Sequence, residues 1–89
     1  MKIAIVTGVV GGIGKASALL LAKNGYKIVG MDVVAEPDLS DFDGLDIEYV
    51  SGDLSCADDR KKLLDAALAC GEIGALINVA GVAPKVRRD

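Results

Sequence analysis

Histidine and tryptophan are missing from this chain of 89 residues, and aromatic side chains make up only 3% of it. The lack of histidine removes a common acid–base group. The scarcity of aromatics leaves little with which to stack on nucleobases, and a net charge of −3 opposes binding to anionic nucleic acid or membrane surfaces. No apolar run reaches membrane-spanning length. Cysteine is scarce too: Cys56 and Cys70 stand fourteen positions apart in one predicted helix. At the helical rise they lie roughly 20 Å apart, beyond disulfide reach. They read as free thiols in a reducing compartment, so the chain is expected to be cytoplasmic. Met1-Lys2, the apolar stretch that follows and Ala16-Ser17-Ala18 imitate a secretory leader with its cleavage site. Glycines inside that stretch, and a helical pattern running past Ala18, argue against one.

What is present is aliphatic. Hydrophobic residues are 52% of the sequence, so the core has to come from Val, Ile, Leu and Ala. Residues 1–89 allow one small domain, burying about 60–65% of its unfolded surface. Residues 3–7 form an unalternating apolar strand, as expected where both faces are covered. Residues 12–24 read as a helix with Ile13, Ala16, Ser17 and Leu20 on its apolar side, Lys15 and Lys23 on the solvent side, and Asn24-Gly25 as its stop. Residues 26–31 form a second strand ending at Asp32. Residues 33–46, with Pro37 and Gly44, read as a loop with room for one turn. That loop opens an acidic block of Glu36, Asp38, Asp41, Asp43, Asp46 and Glu48, expected to be solvated.

A third strand spans 47–51. Ser55 stands as the N-cap of a second helix, with Asp58 in capping-box position. Leu63, Leu64, Ala67 and Leu68 form that helix's apolar face, Gly71 ends it, and 75–79 form a fourth strand. Right-handed crossovers then give a four-stranded parallel sheet in the order 3-2-1-4 with a helix on each face. This is an α/β Rossmann-type half-domain, with its switch point beside the first strand.

At that switch point lies Thr7-Gly8-Val9-Val10-Gly11-Gly12-Ile13-Gly14. A strand, a glycine turn and a helix N-terminus present unpaired backbone N–H groups to an anion. An ATP-type loop would need a glycine where Val9 stands and a hydroxyl where Ala16 stands, so that reading fails twice. Asp32 follows Gly14 by eighteen residues at the end of the second strand. A carboxylate there accepts hydrogen bonds from a ribose diol and repels a 2′-phosphate, which favours NAD over NADP.

The turn Thr7-Gly8-x-x-x-Gly12-Ile13-Gly14 resembles the T-G-x-x-x-G-[IL]-G turn of short-chain dehydrogenases/reductases. Asp53-Leu54 resembles that family's adenine-contacting pair. Asn78-Val79-Ala80-Gly81 resembles its N-N-A-G motif, with Val79 departing at the second position. The resemblance runs over essentially the whole chain, and the shortened stretch 33–46 is similar to that of bacterial hydroxysteroid dehydrogenases. It implies that Gly8, Gly12 and Gly14 shape the turn around a pyrophosphate, with Ile13 near the nicotinamide end. It implies Asp32 at the adenosine ribose and Asp53 and Leu54 at the adenine. Asn78 would brace the sheet, and Ala80 and Gly81 would pass near the ribose. Gly11 stands where NADP-preferring members often carry a basic residue, a second indication of NAD.

The family's catalytic Ser and Y-x-x-x-K pair belong to its second half. Here Tyr26 and Tyr49 are followed, four residues on, by Gly30 and Asp53, so neither begins that motif. No catalytic and no metal-ligating residues are assigned. The expectation is the NAD-binding N-terminal portion of an alcohol/ketone oxidoreductase, inactive alone. The alternative is a standalone nucleotide-binding or interaction module. Strand 75–79, an apolar edge without Pro or charge, is expected to promote self-association.

Overall fold

The β-branched run at the N-terminus builds β1 (Lys2–Thr7), the strand on which everything else is layered. In the computed structural model, which describes residues 2–79, β1 pairs in parallel with β2 (Lys27–Asp32) on one side and β4 (Glu72–Asn78) on the other. β3 (Ile47–Ser51) lies outside β2, giving the parallel order β3-β2-β1-β4 expected from the sequence. Helix α1 (Gly12–Lys23) joins β1 to β2, and α2 (Ala57–Cys70) joins β3 to β4. β1 is buried on both faces because each face meets a separate apolar cluster. Ile3 and Ile5 join Val29, Met31, Leu63 and Ala67 under α2. Ala4 and Val6 join Val9, Ala18, Ile28 and Phe42 under α1.

The inward face of α1 differs from the expected one. Gly14 and Ala18 are buried, with Leu21 and Ala22 beside them, whereas Ile13 is 71% exposed and Leu20 is exposed as well. The glycine turn sets this phase. A Cβ on Gly14 would sit 2.0 Å from the carbonyl oxygen of Gly8, so that helical position must touch the turn. The small residues that follow it at helical spacing then face the sheet. On α2, Leu63 and Ala67 point inward as expected, but Leu64 and Leu68 are exposed.

Three further details depart from the sequence reading. The N-cap of α2 is Cys56, with no side-chain cap hydrogen bond, so the Ser55–Asp58 capping box does not form. Instead Asp53 Oδ1 accepts from both the backbone N–H and the hydroxyl of Ser55, at 2.9 Å each, while Asp59 accepts the Asp53 N–H. β4 starts at Glu72 rather than 75. Ile3 faces Ile73 but Ala4 faces Ala75, leaving Gly74 as an extra residue in a bulge. The loop 33–46 contains a 3-10 turn at Ser40–Phe42 whose Phe42 is only 2% exposed, packed into the α1-side cluster near Leu39 and Leu45. Its acidic block is partly paired: Lys15 meets Asp41 at 2.6 Å and Lys27 meets Asp46 at 2.9 Å. Cys56 and Cys70 sit at opposite ends of α2, and both are free. Among the described residues no helix is long and apolar enough to cross a membrane.

Candidate nucleotide-binding site

The carboxyl ends of β1 and β2 carry the turn and the carboxylate that the sequence brought forward. Gly8 has φ +69°, a left-handed conformation that glycine adopts without strain. It turns the chain so that its N–H donates to the Met31 carbonyl at 2.9 Å, tying the turn to the neighbouring strand. The helix then begins at N-cap Gly11 with no side-chain cap and no acidic residue in its first turn. Gly12 and Ile13 are exposed there. A helix start without a side-chain cap or a competing carboxylate is suited to an anion such as a pyrophosphate.

Asp32 is bound into this turn. Its Oδ2 accepts the Val10 N–H at 3.0 Å, and its Oδ1 accepts the Val33 N–H at 2.7 Å. Each carboxylate oxygen has a second lone pair, so two further donors, such as the hydroxyls of a ribose diol, can be accommodated without breaking these bonds. The backbone of Asp32 is held as firmly: its carbonyl accepts the Gly52 N–H at 2.9 Å and the Tyr49 hydroxyl at 3.1 Å. Tyr49 also places its hydroxyl against the carbonyl oxygen of Val34. Partial burial and the nearby Asp32 charge push the Tyr49 phenol above its usual pKa of 10.0, so it stays protonated and donating.

Asp32, Asp53, Leu54 and Asn78 line one groove of about 660 Å³ on the α2 side of the sheet. Ile5, Met31, Leu63, Leu64 and Leu76 give it an apolar lining, to which Asp32, Asp53, Ser55, Arg60 and Asn78 add polar groups. An aromatic base with polar edges fits such a lining. The two bonds from Ser55 hold the Asp53 carboxyl below its ordinary pKa, so it is an anion at neutral pH. Leu54 is partly buried against the α2-side core, and its carbonyl accepts Arg60 Nη1 at 2.7 Å. Asn78 receives the buried Thr7 hydroxyl on its Oδ1 at 2.8 Å, which ties the ends of β1 and β4 together. Gly8, Gly12, Ile13 and Gly14 do not line the groove; they adjoin it through the Val10–Asp32 hydrogen bond. Ala80 and Gly81 lie outside the described residues.

The sequence carries no signal that Val10, Tyr49 and Arg60 belong to this site. Val10 acts through its backbone, which no residue type signals. Tyr49 reads as an ordinary strand residue until the end of β2 is seen beside it.

Comparison with known proteins agrees with this geometry. The family described as short chain dehydrogenase matches residues 2–89, and the chain belongs to that family. It is 34% identical over 91 residues to hydroxyacyl-CoA dehydrogenase ChsB1 of Mycobacterium tuberculosis, covering 91% of this chain and 29% of that protein. A crystal structure of hydroxysteroid dehydrogenase from Escherichia coli is similar with a TM-score of 0.78 and 29% identity, over 86% of this chain and 35% of that one. A metagenomic short-chain oxidoreductase in complex with NADP is similar with a TM-score of 0.68 and 26% identity, over 84% of this chain and 37% of that one. The chain spans about a third of the length of these relatives. It corresponds to an N-terminal portion of the short-chain dehydrogenase fold.

Proposed function

We propose that residues 1–89 form a single dinucleotide-binding unit that takes NAD in preference to NADP and lacks the groups needed to transfer a hydride by itself. The observation that carries this reading is the Asp32 carboxylate, fixed by the N–H groups of Val10 and Val33 between the glycine turn and the adjoining groove. In this reading Gly8, Gly12 and Gly14 shape the turn around the pyrophosphate, and Ile13 stands toward the nicotinamide. Asp32 takes the adenosine ribose, while Asp53 and Leu54 take the adenine. Asn78 braces the sheet, and Ala80 and Gly81 continue toward the ribose. When bound, the cofactor supplies hydride chemistry; these residues supply position and charge. A relative was crystallised with NADP, so membership of the family does not by itself select NAD. The choice is assigned to Asp32, whose charge opposes a 2′-phosphate.

Neither tyrosine of this chain carries the family's catalytic pairing. Neither Tyr26 nor Tyr49 has a Lys four residues on, and the Tyr49 hydroxyl is committed to two backbone carbonyls. The parent activity would be NAD-dependent alcohol/ketone oxidoreduction in the cytoplasm, with no nucleic-acid or membrane partner. A second reading, a standalone interaction module, draws on the exposed Leu64, Leu68 and Leu76, and on that surface the chain is expected to associate with itself along β4. Calorimetric titration with NAD, NADP and AMP tests the first reading. NAD should bind more tightly than NADP, and Asp32→Ala should abolish the difference. Equal affinities in the unaltered chain would remove the ribose role from Asp32.

A further inference from the structure

We propose that Tyr49 is a positioning residue for nucleotide selection, fixing through its hydroxyl the backbone that aims the Asp32 carboxylate. The inference rests on the reading of Asp32 as the ribose acceptor. Val33 is the pivot. Its N–H donates to Asp32 Oδ1 at 2.7 Å, so the orientation of that peptide sets the direction of the carboxylate. Yet the Val33 side chain is 68% exposed, and Val34 is exposed too, so burial does little to hold this turn. The Tyr49 hydroxyl reaches the carbonyl oxygens of Asp32 and Val34, the residues on either side of Val33. A phenol has one proton, so the two carbonyls share it, and both stay within reach only while the turn keeps its shape.

The clamp is itself anchored. Tyr49 lies on β3 opposite Gly30, and its ring packs against the α1-side cluster. Other donors around Asp32, from Val10, Val33 and Gly52, are backbone N–H groups that side-chain replacement leaves in place. Tyr49 adds a side-chain donor to this set. A hydroxyl on a core-held ring is the kind of support that keeps a binding group within a fraction of an ångström of its working position.

A role limited to satisfying two carbonyls would make Tyr49→Phe lower stability and weaken all nucleotides alike. The positioning role predicts a change in ratio. Calorimetric titration of the 89-residue chain with NAD and NADP, with thermal unfolding recorded in parallel, separates the two. Tyr49→Phe should weaken NAD by about five- to tenfold, the worth of one well-placed hydrogen bond, and leave NADP within about twofold or tighter. In an Asp32→Ala background the same replacement should change NAD affinity by less than about twofold, because the group it positions is gone. Val33→Gly, which frees the turn without touching the core, should lower the NAD/NADP ratio in the same direction. Val33→Gly leaves the Tyr49 hydroxyl and its two carbonyl partners in place, so it tests whether the shape of the turn sets the ratio even where Tyr49→Phe does not fold. Parallel losses for both dinucleotides, or a ratio unchanged by either replacement while Asp32→Ala abolishes it, would overturn the inference alone. A ratio unchanged by Asp32→Ala would remove the ribose reading and the inference with it.

Discussion

The Cβ that Gly14 lacks would lie 2.0 Å from the carbonyl oxygen of Gly8 and 3.2 Å from the Cα of Val9. Both obstacles are backbone, so no side chain can swing aside to admit it. Gly14→Ala therefore has to push α1 off the turn, and the turn is tied to β2 through Met31 and Asp32. Overpacking of this kind costs about 1–3 kcal/mol, a large share of the stability of a small domain. Urea unfolding followed by circular dichroism should show a midpoint well below that of the unaltered chain. Gly12→Ala is the control, since a Cβ there meets nothing within 4 Å and should leave the midpoint nearly unchanged.

Phe42 offers a second stability test, in a segment that the sequence presents as an acidic loop. Its ring is buried among the side chains under α1, so the loop is fastened to the sheet by one aromatic anchor. Removing a buried Phe side chain costs about 3–5 kcal/mol. Phe42→Ala should leave the chain largely unfolded at room temperature by near-ultraviolet and far-ultraviolet circular dichroism. Phe42→Leu should retain the fold with a lowered melting temperature. A fully native Phe42→Ala would mean that the loop contributes nothing to the core.

What was legible in the sequence was what depends on local order and residue type. Gly8 and Asp32 lie where a glycine and an acid at strand ends predict them, and the parallel order β3-β2-β1-β4 follows from right-handed crossovers between successive strands. What was not legible depends on contact between distant segments. The large residues Ile13 and Leu20 suggest the inward face of α1, but the close approach of Gly14 to Gly8 selects the small residues instead. Ser55 has the chemistry of an N-cap, yet its N–H and hydroxyl are taken by Asp53, whose own N–H is held by Asp59. Gly74 hides the first half of β4 because a bulge breaks the alternation that marks a strand. Tyr49 acquires a role only once β3 is laid beside β2.

The acid side of the stability profile follows from the start of α2. The bonds from Ser55 hold the Asp53 carboxyl below its ordinary value of 3.8. The Asp53 backbone N–H, followed by Lys62, does the same for Asp59. A carboxyl whose folded pKa lies below its unfolded one stabilises the fold fully above the unfolded value and loses that contribution as pH falls through the folded one. The melting temperature should therefore hold steady down to about pH 5 and fall below about pH 4. Asp53 is exposed and Asp59 only half-buried, so the decline should be gradual. Asp53→Asn, which keeps an acceptor for Ser55 but cannot titrate, should flatten this part of the profile. An unchanged slope would show that the Ser55 bonds do not couple to folding.

Leu76 decides whether the β4 edge is an association surface. β4 pairs with β1 on one side and with no other strand among the described residues, so a seven-residue row of backbone groups faces outward. Leu76 is 64% exposed and shares its groove with Leu64 of α2, while Leu68, one helical turn on, is exposed as well. On the other face, Lys15 turns one flank of α1 toward Asp41 in the loop. Helical spacing puts Ile13 and Leu20 on the opposite flank, the one nearer β4. Apolar surface on both sides of an open strand favours pairing with another strand, and a charge in the middle of that strand opposes it. Glu72, at the end of β4, stands too far along to guard its centre. Leu76→Lys should leave the core intact because the side chain is largely in solvent, yet it would place like charges close together in any edge-to-edge pair. Sedimentation velocity over a range of concentrations should show the unaltered chain as dimers or larger species and Leu76→Lys shifted toward monomer. An unaltered chain that stays monomeric at high concentration would remove β4 as an association surface, and the exposed leucines would then owe their position to packing within the fold alone.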